Sequence, residues 1–266
     1  MLGAIIGDVI GSVYEFNPVK SKEFELFTRE SRPTDDSIMT IAVGNALMAY
    51  DKEKDPEDLF HLAKDYLQGL GRLYPNCGFG SKFMDWIFSD APMPYESFGN
   101  GAAMRISPVG HYARTEEELK FLSKEITRIS HNHEESFKAA EAIALSIFLL
   151  KRGMEKDELR KRLEAEYYDL SFTLDEIRED YRFDVSCQGS VPQAIKCFLE
   201  AEGFEDTIRN AVSLGGDADT LAAIAASLAE CYYGIDELLY ERTLMYLDDR
   251  LKSYMLEWEF FLEERE

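Results

Sequence analysis

Positive charge is scarce in this chain: 29 lysines and arginines stand against 51 aspartates and glutamates, a formal net charge of −22. That deficit argues against a nucleic-acid backbone as the main partner. Long apolar runs are missing as well, so nothing reaches the roughly 20 residues of a membrane span. The opening Met1-Leu-Gly-Ala-Ile-Ile-Gly-Asp8 lacks the basic region of a secretory signal. The expectation is a cytoplasmic protein with no membrane contact. Cysteine is sparse: Cys77, Cys187, Cys197 and Cys231 form no CxxC pair, which predicts reduced thiols and no zinc ribbon or disulfide framework. Three catalytic signatures are missing. There is no Gly-Lys-Ser/Thr ending of a P-loop, no complete GxGxxG, and no GxSxG elbow on which to hang a Ser-His-Asp triad. Strand-like alternation is rare, and neither a fixed-period repeat nor a low-complexity linker appears. One all-α domain over residues 1–266 is the simplest organisation.

Acidic helix starts are present, and they organise the chain. Ser213-Leu-Gly-Gly-Asp-Ala-Asp-Thr220 makes a glycine turn, places Asp217 and Asp219 one residue apart, and opens an alanine-rich helix over 220–233. A helix N-terminus tolerates such charge, and simple capping accounts for one acidic residue but poorly for two. Thr34-Asp35-Asp36-Ser37 repeats the pattern far upstream. Folded together, four carboxylates repel unless cations neutralise them. Oxygen ligands from Asp35, Asp36, Asp217 and Asp219, with Thr34 and Thr220 nearby, suit hard ions such as Mg²⁺ or Mn²⁺. An EF-hand is excluded, because the loop lacks its central glycine and Leu228 stands where the closing glutamate belongs.

The remaining helices follow from periodicity. Residues 2–15 predict a first helix with Gly3, Gly7 and Gly11 on one face, a pattern for close helix approach. Asp8 lies inside that apolar helix and needs a hydrogen-bonding or metal-shell partner. A polar stretch from Val19 to Pro33 follows, of a length associated with functional or mobile loops. Helices are expected to about Tyr50 and, after a charged connection at 51–58, from Pro56 through Leu67. Further helices are expected near 83–88, 116–130, 134–152, 156–168, 173–180, 190–202, 204–213 and 236–264. Two glycine loops, Asn76-Cys77-Gly78-Phe79-Gly80-Ser81 and Ser97-Phe98-Gly99-Asn100-Gly101, offer backbone N–H groups to a phosphate. Ser130-His131-Asn132-His133 is open to metal ligation, general-base work, substrate contact or a structural role.

Four blocks then stand in order: Gly7-Asp8-x-x-Gly11 with Tyr14-Glu15, Thr34-Asp35-Asp36-Ser37-x-Met39, Gly99-Asn100-Gly101-Ala102-Ala103-Met104-Arg105, and Ser213 to Thr220. This set resembles the ADP-ribosylglycohydrolases, from residue 3 to about residue 233. The resemblance implies a compact all-α fold with a dinuclear Mg²⁺ or Mn²⁺ centre in a cleft, held by Thr34, Asp35, Asp36, Asp217, Asp219 and Thr220. It implies that Asp36, Asp217 and Asp219 serve catalysis with Glu15, a glutamate carried on a mobile segment. Gly78, Gly80 and Ser97 match positions that hold a diphosphate. Phe98 matches an aromatic beside the adenosine, Asn100 and Gly101 match the cleft floor, and His131 matches a histidine near the nucleotide. The implied reaction releases free ADP-ribose from an ADP-ribosylated protein or small-molecule acceptor. The acidic surface slightly favours arginine over serine, nucleobase or ester linkages. A non-catalytic ADP-ribose reader on the same fold is the alternative. Ser81-Lys82 departs from relatives that carry another glycine, and Tyr167–Asp184 matches no motif and is left for the acceptor side. Oligomeric state is not legible.

Overall fold

A computed structural model of the chain describes residues 1–53 and 56–265. Lys54 and Asp55, in the middle of the expected charged connection, lie outside the described residues, as does Glu266. The order of helices is α1 (Leu2–Gly11), α2 (Asp35–Glu53), α3 (Pro56–Leu73), α4 (Ser81–Phe88), α5 (Gly101–Met104), α6 (Ser107–Tyr112), α7 (Glu116–Thr127) and α8 (Glu134–Leu150). There follow α9 (Lys156–Glu166), α10 (Leu174–Ile177), α11 (Cys187–Leu199), α12 (Phe204–Leu214), α13 (Ala218–Tyr233), α14 (Glu237–Leu244) and α15 (Asp249–Glu263). The all-α expectation holds: among the described residues the only β pairing is an isolated bridge between Gly99 and Ser186. No helix there is long and apolar enough to cross a membrane. All four cysteines are free thiols, and three are buried.

At the centre runs α13, buried from Ala218 to Ala229 and packed by α1, α8, α11 and α12. Its alanines leave the backbone accessible to a neighbour, and the glycines of α1 complete the fit. A Cβ added to Gly3 or Gly7 would lie 2.2 Å from the carbonyl oxygen of Ala226 or Ala222, and one on Gly11 would lie 2.5 Å from Asp219 Cα. The two backbones therefore touch, as the four-residue spacing predicts. This contact sets Asp8 of α1 beside Asp219 of α13.

Several boundaries differ from expectation. The first helix stops at Gly11 rather than running to 15. Ser12 Oγ donates to the Val9 carbonyl at 2.9 Å, a side-chain competitor for a helical acceptor, and Tyr14 N closes a turn on the Gly11 carbonyl at 2.7 Å. That turn swings Glu15 toward α13. The single helix expected over 236–264 is two, because Asp248 caps α15 by accepting from Leu251 N at 2.9 Å. The helix expected over 173–180 shrinks to α10 behind a Thr173–Glu176 capping box. The short α5 and α6 have too few residues for periodicity to reveal them.

The polar stretch 19–33 is tied down rather than loose. Lys20 Nζ donates to the carbonyls of Arg178 (2.7 Å), Tyr181 (2.8 Å) and Leu214 (2.5 Å). Arg209 reaches the carbonyls of Lys22 and Phe24, Tyr14 OH that of Glu25, and Tyr246 OH that of Thr28. Lys20 thus fastens this segment and the 178–181 segment to the last carbonyl before Gly215.

Candidate active site

The two acidic motifs meet, although 184 residues separate Asp36 from its partner Thr220. Gly215 and Gly216 both take positive φ (+67° and +74°), where a side chain is strained, and this turn sends the chain from α12 into Asp217. A Cβ on Gly216 would also meet the Tyr181 ring at 2.9 Å. Asp217 is the N-cap of α13, and Asp35 and Asp36 occupy the first turn of α2.

Asp8 carries the interior charge that the sequence left without a partner, and it is fully engaged. Its Oδ2 accepts from Thr34 N (2.8 Å), Ser37 N (3.0 Å) and Ser37 Oγ, and its Oδ1 accepts from Thr34 Oγ1 (2.6 Å). Asp8 therefore builds the 34–37 turn from below. Thr220 Oγ1 donates to Asp36 Oδ2 at 3.0 Å, and Asn100 Nδ2 donates to Asp217 Oδ2 at 2.6 Å. Asp36 Oδ1 is buried without any hydrogen-bond partner.

Two groups of carboxylates result. Oxygens of Asp8, Asp36 and Asp219 fall within 4.8 Å of one another, as do those of Glu15, Asp217 and Asp219. Asp219 belongs to both groups. Asp35 belongs to neither; its Oδ1 faces Gly78, 2.7 Å from where a Cβ would stand. Burial foremost, then neighbouring carboxylates, raises Asp36 and Asp219 far above the usual range. Asp35 is pushed to about 7 by burial and by the charge of Asp8. Glu15 also rises to about 7, through burial and the charge of Asp217. Oxygen-only donors, a buried orphan oxygen and mutually repelling acids fit hard divalent cations.

These residues floor a cavity of about 460 Å³, within the range of small-molecule sites. Of the expected site residues, Glu15, Asp35, Asp36, Gly78, Gly80, Ser97, Asn100, Gly101, His131, Asp217, Asp219 and Thr220 line it. Thr34 sits beneath, against Asp8. Phe98 lies outside the wall, half exposed, with its ring edge-on to His133 at 5.5 Å. His133 itself caps α8 by accepting from Glu135 N at 3.1 Å. The wall is built largely from the N-terminal ends of α2, α4, α5 and α13, so partial positive charge converges on an acidic hollow. Gly80 gives α4 no side-chain cap, and its first-turn N–H groups are available to an anion.

Arg105 closes one of the four motif blocks, but its sequence context alone assigns it no role. It is a buried cation on the cavity wall whose Nη2 donates to Ser130 Oγ at 2.8 Å and whose guanidinium lies 5.3 Å from the centre of the Phe83 ring, while Nε and Nη1 have no hydrogen-bond partner. Ser130 Oγ stands 2.8 Å from His131 Nδ1. Arginine only donates, so the arrangement that strands no buried hydroxyl hydrogen has Ser130 donating to Nδ1. His131 then carries its hydrogen on Nε2, beside Gly99 and Gly101. Burial and the Arg105 charge hold the ring neutral, well below its ordinary range. Phe183 and Val185 are further wall residues that no motif announced. Backbone bonds from Asn100 N to Val185 O and from Cys187 N to Phe98 O, each 2.8 Å, fix their segment to the floor.

ADP-ribosylhydrolase ARH3 of Homo sapiens is 23% identical over 315 residues, covering 90% of this chain and 85% of that protein. ADP-ribosyl-[dinitrogen reductase] glycohydrolase of Rhodospirillum rubrum is 26% identical over 265 residues, covering 89% and 85%. ADP-ribosylarginine hydrolase Tri1 of Pseudomonas putida (strain GB-1) is 24% identical over 269 residues, covering 88% and 70%. A solved structure described as an ADP-ribosylglycohydrolase-related protein complex shares the fold. Its TM-score is 0.68 at 24% identity, over 97% of this chain and 95% of that one. The family profile for ADP-ribosylglycohydrolase matches residues 1–261, and the chain belongs to that family of glycosyl-bond hydrolases.

Proposed function

We propose that this protein hydrolyses the glycosidic bond between ADP-ribose and a mono-ADP-ribosylated acceptor, arginine side chains favoured, and releases free ADP-ribose. The observation that carries the reading is the pair of carboxylate groups sharing Asp219 on the floor of the cavity, with Asp36 Oδ1 left open. Asp36, Asp217 and Asp219 would hold two Mg²⁺ or Mn²⁺ ions, with Thr34, Asp35 and Thr220 completing the set. Bound there, the ions supply Lewis-acid polarisation of the target ribose and a water of lowered pKa.

The chain's own residues do the rest. Asn100 orients Asp217, and Asp8 orients Thr34 and, through Ser37 and the 34–37 backbone, the start of α2. Glu15, whose carboxylate is grouped with those of Asp217 and Asp219 on the cavity wall, is the side chain placed to hold or yield a proton as the acceptor departs. The α4 N-terminus at Gly80 and Ser81, with Gly78 and Ser97 beside it, takes the diphosphate. His131 offers an Nε2–H to an acceptor atom of the nucleotide.

The test is release of free ADP-ribose from arginine-modified and serine-modified peptides with Mg²⁺, with Mn²⁺ and after chelation. Release is expected from the arginine peptide only when a metal is present, and it should vanish in Asp219→Ala. Undiminished release in chelator would refute the metal assignment. Tight ADP-ribose binding without release from any acceptor would make the protein a reader.

A further inference from the structure

At the mouth of the cavity, Phe16 and Phe183 lie with ring centroids 6.1 Å apart and planes within 22°. They are 73% and 50% exposed, and Val185 beside them is 52% exposed. Clustered apolar side chains left in water at a cleft rim mark a binding surface. Phe16 directly follows Glu15, whose carboxylate is grouped with those of Asp217 and Asp219. Phe183 and Val185 belong to the cavity wall. The rings therefore stand on the acid-rich side of the cavity, where the bond is to be cut.

Both flanks of the Phe183 segment are anchored. On one side, Tyr181 OH donates to the Gly189 carbonyl at 2.8 Å and the Tyr181 carbonyl accepts from Lys20. On the other, Val185 and Cys187 bond to the cleft floor. Asp184 lies between Phe183 and Val185, close enough to Asp217 to raise its proton affinity. Of the cations nearby, Arg182 folds its Nη1 onto the carbonyls of Glu179 and Tyr181, and Arg32 acts on Glu15. The surroundings of the rings remain dominated by carboxylates. A planar cation that stacks on aromatic faces and welcomes nearby carboxylates is a guanidinium. A nucleobase also stacks, but it arrives on a polyanionic strand against a chain of net charge −22.

We propose that Phe16, Phe183 and Val185 form the acceptor subsite, with the exposed ring faces taking the guanidinium of an ADP-ribosylated arginine. The assignment rests on the hydrolase reading above, and its test separates the two. Steady-state kinetics are measured on arginine-linked and serine-linked peptides for the wild type, Phe183→Leu, Phe183→Tyr and Phe16→Leu. Leucine keeps apolar area and removes the π face. The expected result is a fall in kcat/KM of about five- to thirtyfold on the arginine peptide for each leucine variant, carried mainly by KM. Phe183→Tyr should stay within about twofold of the wild type, because its ring face is intact. The serine peptide and the affinity for free ADP-ribose should not change. Equal losses on both linkages, leucine variants that match the wild type, a parallel loss of ADP-ribose affinity, or a wild type that prefers serine-linked or nucleobase-linked substrate would each overturn the subsite. If the wild type cleaves no substrate, the hydrolase reading fails and the subsite is read by NMR. Agmatine added to the ADP-ribose-saturated protein should shift the Phe16 and Phe183 ring signals, and n-butylamine should shift them less. No shift with agmatine overturns the proposal.

Discussion

Asp35 and Glu15 both hold protons near neutrality without cations, which ties stability to pH. In the unfolded chain they ionise near their ordinary values of 3.8 and 4.5; folded, both titrate at about 7. The native state then binds more protons than the unfolded state between those limits, so stability falls as pH rises from about 4.5 through about 7. The metal-free protein should show a melting temperature that drops between pH 5 and pH 8. Saturating Mg²⁺ should largely remove the drop. Asp35→Asn should raise the metal-free melting temperature at pH 8 while lowering activity at least about 100-fold, since even outer-shell partners of metal ligands cost 10–100-fold. A metal-free protein equally stable at both pH values would contradict this account. Asp35, Asp36, Asp217 and Asp219 were legible as candidates because acidic pairs at helix starts are a local pattern. That Thr220 occupies one Asp36 oxygen and leaves the other open, and that Asp8 holds Thr34, was not: those answers come from partners 184 and 26 residues away. A separation of 25 residues likewise hid the link from Arg105 to Ser130, and through it to His131.

Among the elements, α1 and α13 carry the site, and their contact can be tested with one methyl group. Gly7→Ala places a Cβ 2.2 Å from a backbone carbonyl that has no rotamer to change, so the helices must part. A loss of about 3 kcal/mol, the upper range for overpacking, is expected in urea unfolding. Helix propensity returns at most about 1 kcal/mol of it. Gly69→Ala is the control: no atom lies within 4 Å of its added Cβ, so it should be neutral or stabilise by up to about 1 kcal/mol. Similar effects at both sites would show that the α1–α13 approach is not close. The close approach was readable, because glycines four apart declare one face. The stop at Gly11 was not, since a serine hydroxyl that claims the Val9 carbonyl has no periodicity. The split at Asp248 was missed although its capping residue was in view, because apolar spacing on both sides suggested one continuous helix.

For the molecule as a whole, the excess of acid acts over distances longer than any contact. A net charge of −22 would draw a basic acceptor protein toward the molecule, and salt would screen that attraction. On a basic arginine-modified protein, kcat/KM should fall about tenfold between roughly 20 mM and 300 mM salt. On an uncharged small substrate it should stay nearly constant. Equal salt dependence for both would remove long-range steering from the account. Fold class and family could be read from composition and four motif blocks, because an all-helical chain repeats its own rules. The individual residues proposed for the acceptor could not: Tyr167–Asp184 is left for that side without a motif, and Phe183 meets Phe16 only in the fold. The docking of α1 on α13 also governs how the protein is made. At about 5–20 residues per second, translation leaves Asp8 waiting on the order of 10 to 40 s for Asp219 to be synthesised. Throughout that interval the glycine face of α1 has no partner, and neither carboxylate group exists. A nascent chain stalled before Ala218 therefore lacks both carboxylate groups and leaves the glycine face of α1 open to proteases and chaperones.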